Sequence, residues 1–187
     1  MPKSVTFDRE QVIENVMELF WKKGYNGTSM QDLVDVTGLN RSSFYNSFGD
    51  KFSLFGEALK FYQDRQNELL KESFSEARSP KNAIISLFKG ISDDIRNGNQ
   101  KGCMITSCTS EMSGDPLVKD FLVANKDKMV ESFSTLIKQA QSSGEISLAK
   151  DPDTLALYLF SSLQGLRLTS MIEPNLEAVS EEILSVL

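Results

Sequence analysis

The sequence predicts an all-α protein. Apolar residues recur at helical spacings of i, i+3, i+4 and i+7 through almost all of the 187 residues, as in amphipathic helices. No segment alternates like a half-buried strand, and no strand pair with a hairpin turn is present. Glycine and proline separate short N-terminal segments from longer C-terminal ones. We therefore expect an N-terminal three-helix domain over residues 6–66, joined by a long fourth helix to a helical domain over residues 67–187.

Two helices open the chain. The first, roughly residues 8–23, has an apolar stripe that includes Val16 and Phe20, and Gly24 ends it. The second begins at a capping box formed by Ser29 and Asp32. It buries Leu33 and Val34 and stops at Gly38 after barely two turns.

The third and fourth helices follow without a long loop. Asn40 caps the third helix, which runs from Arg41 to about Ser47, and Phe44 and Phe48 point inward from it. Asp50 caps the fourth helix. The fourth carries apolar residues three or four apart as far as Leu69 and fades near Pro80. We expect this helix to join the two domains.

Five further helices are predicted beyond Pro80. Their expected ranges are 80–97, 103–112, 116–143, 152–172 and 175–187, separated by the polar, glycine-containing loops GNQKG, SGDP and SSGEISLAKDPD.

Composition excludes several classes of protein. The net charge of −6 argues against bulk electrostatic coating of nucleic acid, although it permits a small DNA-reading surface. The chain has no histidine, so the commonest general base and metal ligand are missing. No phosphate loop, HExxH run or nucleophile elbow is present. We expect no enzyme activity, no cofactor and no metal.

The first residues and the low cysteine count both favour a cytoplasmic protein with reduced thiols. MPKSVTFDRE contains no secretory signal, and no apolar run is long enough to cross a bilayer, so we expect a cytoplasmic protein without a membrane partner. Cys103 and Cys108 are too few for a disulfide framework, and their spacing puts them on different faces of one helix. We expect reduced, partly buried thiols.

The second and third helices with the TGLN turn form a helix-turn-helix. Gly38 supplies the left-handed backbone of the turn, and Leu39 fills the seam. The third helix leaves a broad polar face of hydroxyl, amide and guanidinium groups, which suit base edges and phosphates. The pattern alone is equally typical of a solvated helix face.

Residues 20–51 resemble the DNA-binding motif of the TetR/AcrR family of bacterial transcriptional repressors. The matching spacing is F-x-x-x-G-Y-x-x-T-S from Phe20, D-L-V-x-x-x-G-L from Asp32, and S-x-F-Y-x-x-F-x-x-K from Ser42 to Lys51. The resemblance covers about the first 65 residues. The C-terminal part is similar to the family only in its length and helical make-up.

The resemblance implies the DNA contacts. It puts Ser29 at a phosphate and Gln31 near the groove, and it puts Tyr45 and Lys51 at phosphates. Arg41, Ser42, Ser43 and Asn46 then face bases or backbone. Arg41 is the best candidate for direct readout, because a guanidinium can pair with guanine O6 and N7. Lys22 and Lys23 are weaker candidates for DNA contact, and plain surface charge is the better interpretation of both.

We expect a homodimer on double-stranded DNA with a palindromic operator, since one helix-turn-helix covers too few base pairs. In the family the last two helices pair across the dimer. We expect that face to carry Leu155, Leu159, Ser162, Leu166 and Thr169, with Ser161 and Gly165 allowing close approach and Ile183, Leu184 and Leu187 adding a second edge. The alternative is that these residues complete a monomeric core.

The resemblance also implies a small apolar or amphipathic inducer that tilts the fourth helix and lowers operator affinity. Large apolar residues between the DNA-binding helices and the last two helices could wall its cavity, although they also suit an ordinary core. The candidates are Phe61, Tyr62, Phe88, Met104, Ile105, Met112, Phe121, Leu122, Met129 and Phe133, to which we add Cys103 and Ser107.

Two alternatives stay open. Cys103 follows a glycine turn near a helix N-terminus, where a thiolate is favoured, so the signal could be an oxidant or electrophile that reacts there. Simple packing is the competing interpretation of the same cysteine. The chain could also be a helical small-molecule-binding protein with a vestigial helix-turn-helix. The operator, the regulated genes and the inducer are not encoded in these patterns, nor is the choice between repression and activation.

Overall fold

The computed structural model describes residues 8–98 and 101–187, which contain nine α-helices and no strand. The helices are α1 Arg9–Lys23, α2 Met30–Thr37, α3 Arg41–Phe48, α4 Lys51–Glu76, α5 Pro80–Arg96, α6 Met104–Met112, α7 Pro116–Ser142, α8 Pro152–Thr169 and α9 Glu177–Leu184. Residues 6 and 7 of the expected first domain, and residues 99 and 100 of the GNQKG loop, lie outside the described residues. The all-α prediction is confirmed.

The chain divides into two compact units, Met1–Gln66 and Asn67–Leu187. The division falls inside α4, which continues without a break from Lys51 to Glu76. Among the described residues, no helix combines the length and apolarity that a membrane span requires.

Side-chain caps fix the helix ends of the first unit. The Asp8 carboxylate accepts from the amides of Glu10 and Gln11 at 3.1 and 3.2 Å. Asn40 accepts from the Ser43 amide at 2.9 Å. Each cap satisfies a backbone donor that has no partner inside its helix, which stabilises the helix by about 1 kcal/mol.

Aromatic packing holds these short helices together. Phe20 and Phe44 are buried, and the Tyr25 ring lies 5.0 Å from the ring of Phe55. The Arg9 guanidinium makes a bidentate contact with Glu57 at 2.9 and 2.8 Å and so links α1 to α4. Because this pair is exposed, it contributes at most about 1 kcal/mol, and the apolar core supplies most of the stability.

The core of the second unit lies where α5, α7 and α8 meet. Buried residues from these helices and the segments beside them form one cluster, comprising Ile84, Phe88, Phe133, Ile137, Ala140, Ile146, Leu155, Ala156, Leu159, Leu163, Leu166 and Leu176. The buried Gln141 amide donates to the carbonyls of Ser147 and Lys150 at 3.0 and 2.8 Å, which fixes the loop between α7 and α8. Asp151 then caps α8 through the Thr154 amide at 2.8 Å.

Several details differ from the sequence-based expectations. Val34 is only half-buried, and Leu69 is 53% exposed although it continues the apolar stripe of α4. Helix α8 ends at Thr169 and not at 172, and α9 covers only Glu177–Leu184. The Ser170 hydroxyl donates to the Arg167 carbonyl at 2.9 Å, which closes the last turn of α8.

The apolar stripe expected on a dimer face lies inside the subunit instead. Leu155, Leu159 and Leu166 belong to the core cluster, and Ile183, Leu184 and Leu187 pack against it. The apolar side chains on the outside of α8 are Leu157, Tyr158 and Leu168, of which Leu157 and Leu168 are 50% and 49% exposed. The expectation was wrong for Leu155, Leu159 and Leu166, because α8 is apolar on two faces and only packing against α7 decides which face is internal. Ser161, Gly165 and Thr169 are exposed, and the pairing of the last two helices across a dimer stays a prediction.

Candidate nucleic-acid interface

The turn between α2 and α3 has a fixed backbone. Gly38 adopts φ 67° and ψ 10°, the left-handed conformation that favours glycine. The Thr37 hydroxyl donates to the Leu33 carbonyl at 2.7 Å, and Leu39 is buried directly after the turn. These contacts fix where α3 begins. The core of the first unit therefore determines which residues of α3 face outward.

The outer face of α3 carries the residues that the sequence singled out. Arg41, Ser42, Tyr45 and Asn46 are exposed, and their i, i+1, i+4, i+5 spacing puts them on one side of the helix. Ser43 is half-buried. Arg41 has no hydrogen-bond or ion-pair partner among the described residues, so its donors point to solvent and are available to base edges.

Ser29 and Gln31 are partly occupied by contacts within the protein. The Ser29 hydroxyl accepts from the Asp32 amide at 3.1 Å and the Ser29 amide donates to the Asp32 carboxylate at 2.8 Å, and these two bonds form the capping box. The Ser29 hydroxyl also donates to that carboxylate at 2.7 Å. The Gln31 side-chain amide donates to Asp35 at 2.8 Å. Ser29 could donate to a phosphate only by releasing Asp32.

Backbone amides supply donors at this position that the sequence analysis did not name. The amides of Met30 and Gln31 lie in the first turn of α2, where no carbonyl of the helix can accept from them. Neither has a hydrogen-bond partner among the described residues. A helix N-terminus of this kind favours an anion, so these amides suit a phosphate better than the Ser29 hydroxyl does.

Lys51 is held at the start of α4 by an aromatic ring. Its Nζ lies 4.3 Å from the centroid of the Tyr25 ring, a cation–π contact. The preceding Asp50 accepts from the Ser53 amide at 2.7 Å, and this hydrogen bond is the main cause that lowers the pKa of Asp50. The Asp50 carboxylate offsets part of the attraction of this terminus for an anion, so Lys51 itself is the candidate anion-binding group here.

Lys22 and Lys23 differ in their surroundings. Lys23 donates to Asp32 at 2.6 Å, whereas Lys22 is exposed and has no partner among the described residues. The Lys23 contact, followed by the hydrogen bonds from Ser29, holds the pKa of Asp32 well below its ordinary value of 3.8. Lys23 therefore supports the start of α2.

The candidate ligand residues of the C-terminal part mostly lie in cores. Tyr62 packs on Trp21 in the first unit with ring centroids 5.0 Å apart, while Phe88 and Phe133 are in the core cluster of the second unit and Met129 packs against it. Cys103, Met104 and Met112 are buried, and Phe61, Ser107 and Phe121 are half-buried.

The second unit contains a cleft of about 470 Å³ between α6, α7 and α8. Of the sequence candidates, only Ile105 and Leu122 line it. The basic residues Lys119 and Lys126 at the cleft were missed because the search considered Met and aromatic residues. The signal that could have found them is the spacing of Lys119, Leu122, Val123 and Lys126, which puts all four on one face of α7.

The two thiols have different surroundings. Cys103 occupies the N-cap position of α6, and the Arg167 Nη1 donates toward its Sγ at 3.6 Å. Burial, followed by the charge of Glu111, raises the pKa of Cys108 to about 11. Both cysteines are reduced and buried. No cluster of three or more His, Cys, Asp or Glu side chains in the described part of the chain could hold a metal ion.

Comparison with known proteins gives consistent matches along the chain. Residues 12–58 match the model of bacterial regulatory proteins of the tetR family, and residues 81–182 match the tetracyclin repressor-like C-terminal domain. The chain is 31% identical to the HTH-type transcriptional repressor ComR of Escherichia coli (strain K12), over 94% of this chain and 85% of ComR. It is 28% identical to the HTH-type transcriptional regulator YezE of Bacillus subtilis (strain 168), over 98% of this chain and 96% of YezE.

Solved structures share the fold. A cysteine mutant of the TetR family regulator CifR, complexed with 26-bp double-strand operator DNA, superposes with a TM-score of 0.85 at 23% identity and 98% coverage of both chains. A regulatory protein TetR from Rhodobacter sphaeroides superposes with a TM-score of 0.86 at 18% identity, over 97% of this chain and 99% of that one.

Proposed function

From the finding that this chain belongs to the tetR family of bacterial regulatory proteins, we propose that it is a repressor that binds a palindromic operator as a homodimer and is released by a small molecule. Members of this family are DNA-binding transcriptional regulators and not enzymes. The observation that carries the finer proposal is the outer face of α3, where Arg41 stands unpaired beside exposed Ser42, Tyr45 and Asn46. The name of ComR, a repressor, supports repression.

The proposed reading of DNA divides the work between bases and phosphates. Arg41 pairs with a guanine, which discriminates against a wrong base by about 1–3 kcal/mol. Ser42, Ser43 and Asn46 contact neighbouring base edges or backbone. Tyr45, Lys51 and the α2 amides bind phosphates and set the register of α3 without carrying sequence information. The net charge of −6 fits a short contact with an operator and not a wide electrostatic footprint.

The proposed dimer uses the outside of α8. Leu157 and Tyr158 are large, apolar and exposed there, and Ser161, about one turn later, is small enough for a second helix to approach closely. A two-fold dimer would place two α3 helices on successive major-groove faces, about 34–36 Å apart. This is why we expect a palindromic operator.

The DNA proposal is tested by selecting fragments of genomic DNA with the purified protein and measuring the affinity of the selected duplex by fluorescence anisotropy. Arg41→Ala should weaken binding about 10- to 100-fold, as expected for loss of a bidentate base contact. Arg78→Ala is the matched control, because Arg78 is an exposed arginine outside the interface. Equal losses in both variants would show that the protein responds to charge alone and would refute sequence reading by Arg41.

The dimer proposal is tested by sedimentation. The wild-type protein should sediment as a dimer, and the double variant Leu157→Ser with Tyr158→Ser should sediment as a monomer of unchanged helix content. Leu148→Ser is the control, since Leu148 is 81% exposed in the loop between α7 and α8. A wild-type monomer at concentrations that saturate the operator would contradict the homodimer.

A second candidate for the signal is covalent modification at Cys103. The observation that favours it is the Arg167 guanidinium 3.6 Å from Sγ, because a positive charge stabilises the thiolate, which is the reactive form of the thiol. In this version the Cys103 thiolate attacks one oxygen of hydrogen peroxide, the O–O bond breaks, and the sulfur keeps that OH as a sulfenic acid. The other oxygen leaves as hydroxide, which takes a proton from solvent to become water. Peroxide should then release the operator from the wild type but not from Cys103→Ser, and reductant should restore binding. Release that persists in Cys103→Ser would eliminate this candidate.

A further inference from the structure

We propose that the cleft between α6, α7 and α8 binds a small amphipathic anion, with the charged end at Lys119 and Lys126 and the apolar end against Leu122, Phe160 and Leu168. This inference rests on the proposed function, because it names the chemical class of the molecule that would release the operator. The cleft volume of about 470 Å³ is within the range of small-molecule sites, which are commonly about 300–1,000 Å³.

Helix α7 contributes both ends of the binding surface. One face of α7 carries two lysines and two apolar residues toward the cleft. The spacing of i, i+3, i+4 and i+7 places them there: Lys119, Leu122, Val123 and Lys126. Lys119 has no ion-pair partner among the described residues. Lys126 contacts Asp127 at 2.5 Å, and Asp127 is the next residue along α7 and does not line the cleft.

Helix α8 adds an apolar wall and one oriented amide. Phe160 and Leu168 line the cleft from this helix. Between them, Gln164 Oε1 accepts a hydrogen bond from the Thr106 hydroxyl at 3.2 Å. Because this contact occupies the oxygen, the Gln164 NH₂ group keeps its donors for a ligand. The amide orientation therefore adds a donor to the two lysines.

Helix α6 leaves few donors of its own. The Thr109 hydroxyl donates to the Ile105 carbonyl at 2.9 Å, and the Ser110 hydroxyl donates to the Thr106 carbonyl at 3.4 Å. These protons are used inside the helix, so α6 supplies a weakly polar wall and not a second charged end.

The basic residues at the cleft determine the charge of the ligand that it favours. The whole chain has 26 acidic and 20 basic side chains, yet two lysines and no carboxylate line this cleft. A ligand cation would face two ammonium groups, and a neutral apolar molecule would leave Lys119 without a partner. An anion with an apolar tail satisfies both parts of the surface, since charge-assisted hydrogen bonds to the head group are stronger than neutral ones.

Gly165 gives the cleft its depth. It is exposed in the interior of α8 and lines the cleft, and a Cβ added there would meet no atom within 4 Å. A glycine inside a helix costs about 1 kcal/mol relative to alanine, and neither a turn nor a close neighbour requires one here. A larger side chain at this position would occupy the cleft without displacing the backbone.

Binding is tested on the full chain by isothermal titration calorimetry with four probes that each contain eight carbon atoms: octanoate, octyl sulfate, octylamine and 1-octanol. Octanoate should bind at one site per chain at least tenfold more tightly than octylamine or octanol. Octyl sulfate distinguishes the head groups: binding of both anions supports a general anion site, and binding of octanoate alone narrows it to carboxylates. If neither anion binds, or if octylamine binds as tightly, the proposal is wrong.

Variants locate the site. Lys119→Gln with Lys126→Gln should weaken octanoate at least tenfold with an unchanged unfolding temperature. Lys128→Gln, on the same helix but outside the cleft, should have no effect. Gly165→Leu should abolish binding by filling the cleft. Unchanged affinity in the double lysine variant would overturn the proposal. Octanoate binding that appears only in the monomeric Leu157→Ser, Tyr158→Ser variant would also overturn it, because a partner subunit would then fill the cleft.

The effect on DNA is measured separately, so that the two proposals can fail separately. Octanoate added to the operator complex should release the duplex from the wild type and not from the double lysine variant. Calorimetric binding without release would keep the site and refute its role in induction. DNA binding with no calorimetric signal would refute the site and leave the operator proposal standing.

Discussion

The two units of the molecule use the same secondary structure for different purposes. In the first unit, helices α2 and α3 have only eight residues each, and side-chain caps and a glycine turn fix their ends. In the second unit, α7 has 27 residues and α8 has 18, and both present apolar residues outside the core as well as within it. A surface that reads DNA needs a fixed backbone with polar groups outward. The small-molecule site and the dimer face proposed for the second unit would both need apolar surface that the core of the unit does not bury.

The largest loss of stability that tests this comparison is expected on α4, which belongs to both units. Phe55→Ala should destabilise the protein by about 3–5 kcal/mol, because Phe55 is buried in the first unit. Leu69→Ala, at an exposed position in the second unit on the same apolar stripe, should cost less than about 0.5 kcal/mol. Urea unfolding followed by circular dichroism measures both. Similar costs would mean that the stripe is buried along its whole length.

A somewhat smaller effect is expected inside the second unit. Leu159→Ala should cost about 2–5 kcal/mol, since Leu159 is fully buried in the core cluster. Leu148→Ala, in the exposed loop, serves as control and should be nearly neutral. If Leu159→Ala instead separated a dimer without lowering the unfolding temperature of the subunit, the assignment of this face to the core would be wrong.

Gly38 and Gly165 both have room for a Cβ, but replacing them with alanine should change stability in opposite directions. Gly38→Ala meets no atom within 4 Å, but its φ of 67° is strained for alanine, so a loss of about 1–2 kcal/mol and weaker operator binding are expected. Gly165→Ala also meets open space, and as an ordinary helical position it should gain about 1 kcal/mol. Thermal unfolding and anisotropy measure these changes. A gain at both positions would show that the α2–α3 turn is not fixed.

The smallest effect is a pH dependence of stability. The pKa of Asp32 is held below its ordinary value by Lys23 and Ser29, and that of Asp153 by Ser134 and Lys138. Each carboxylate therefore contributes stability that is present above pH 3.8 and is lost as the pH falls through its depressed pKa. Unfolding temperatures of Asp32→Asn and Asp153→Asn should each lie below wild type at pH 6 and converge with it in acid. A constant difference down to pH 2 would show that neither carboxylate is linked to protonation.

The fold could be predicted where the signals are local. The Ser29–Asp32 capping box, the Gly38 turn and the Asn40 cap each depend on residues within three positions of one another, and the structure has all of them. The positions of Arg41 and Asn46 on an exposed face follow from the same short segment. Whether these residues contact DNA remains a prediction.

Other features depend on contacts between distant residues. Leu155 and Leu157 are both leucines of α8, and only the packing of α7 makes one internal and the other external. The cleft is formed by residues from 105 to 168, so no single segment contains its pattern. The Lys51–Tyr25 contact joins residues on either side of the whole helix-turn-helix and has no local signature.

The continuity of α4 across the boundary between the units limits how the protein can be rebuilt. A chimaera that joins the first unit to the second unit of another protein would have no flexible peptide at the junction. Residues 66 and 67 lie within one unbroken helix. One inserted residue would rotate everything beyond the junction by about 100° and shift it by about 1.5 Å. Functional grafts should therefore preserve the residue count through α4, or change it by whole turns.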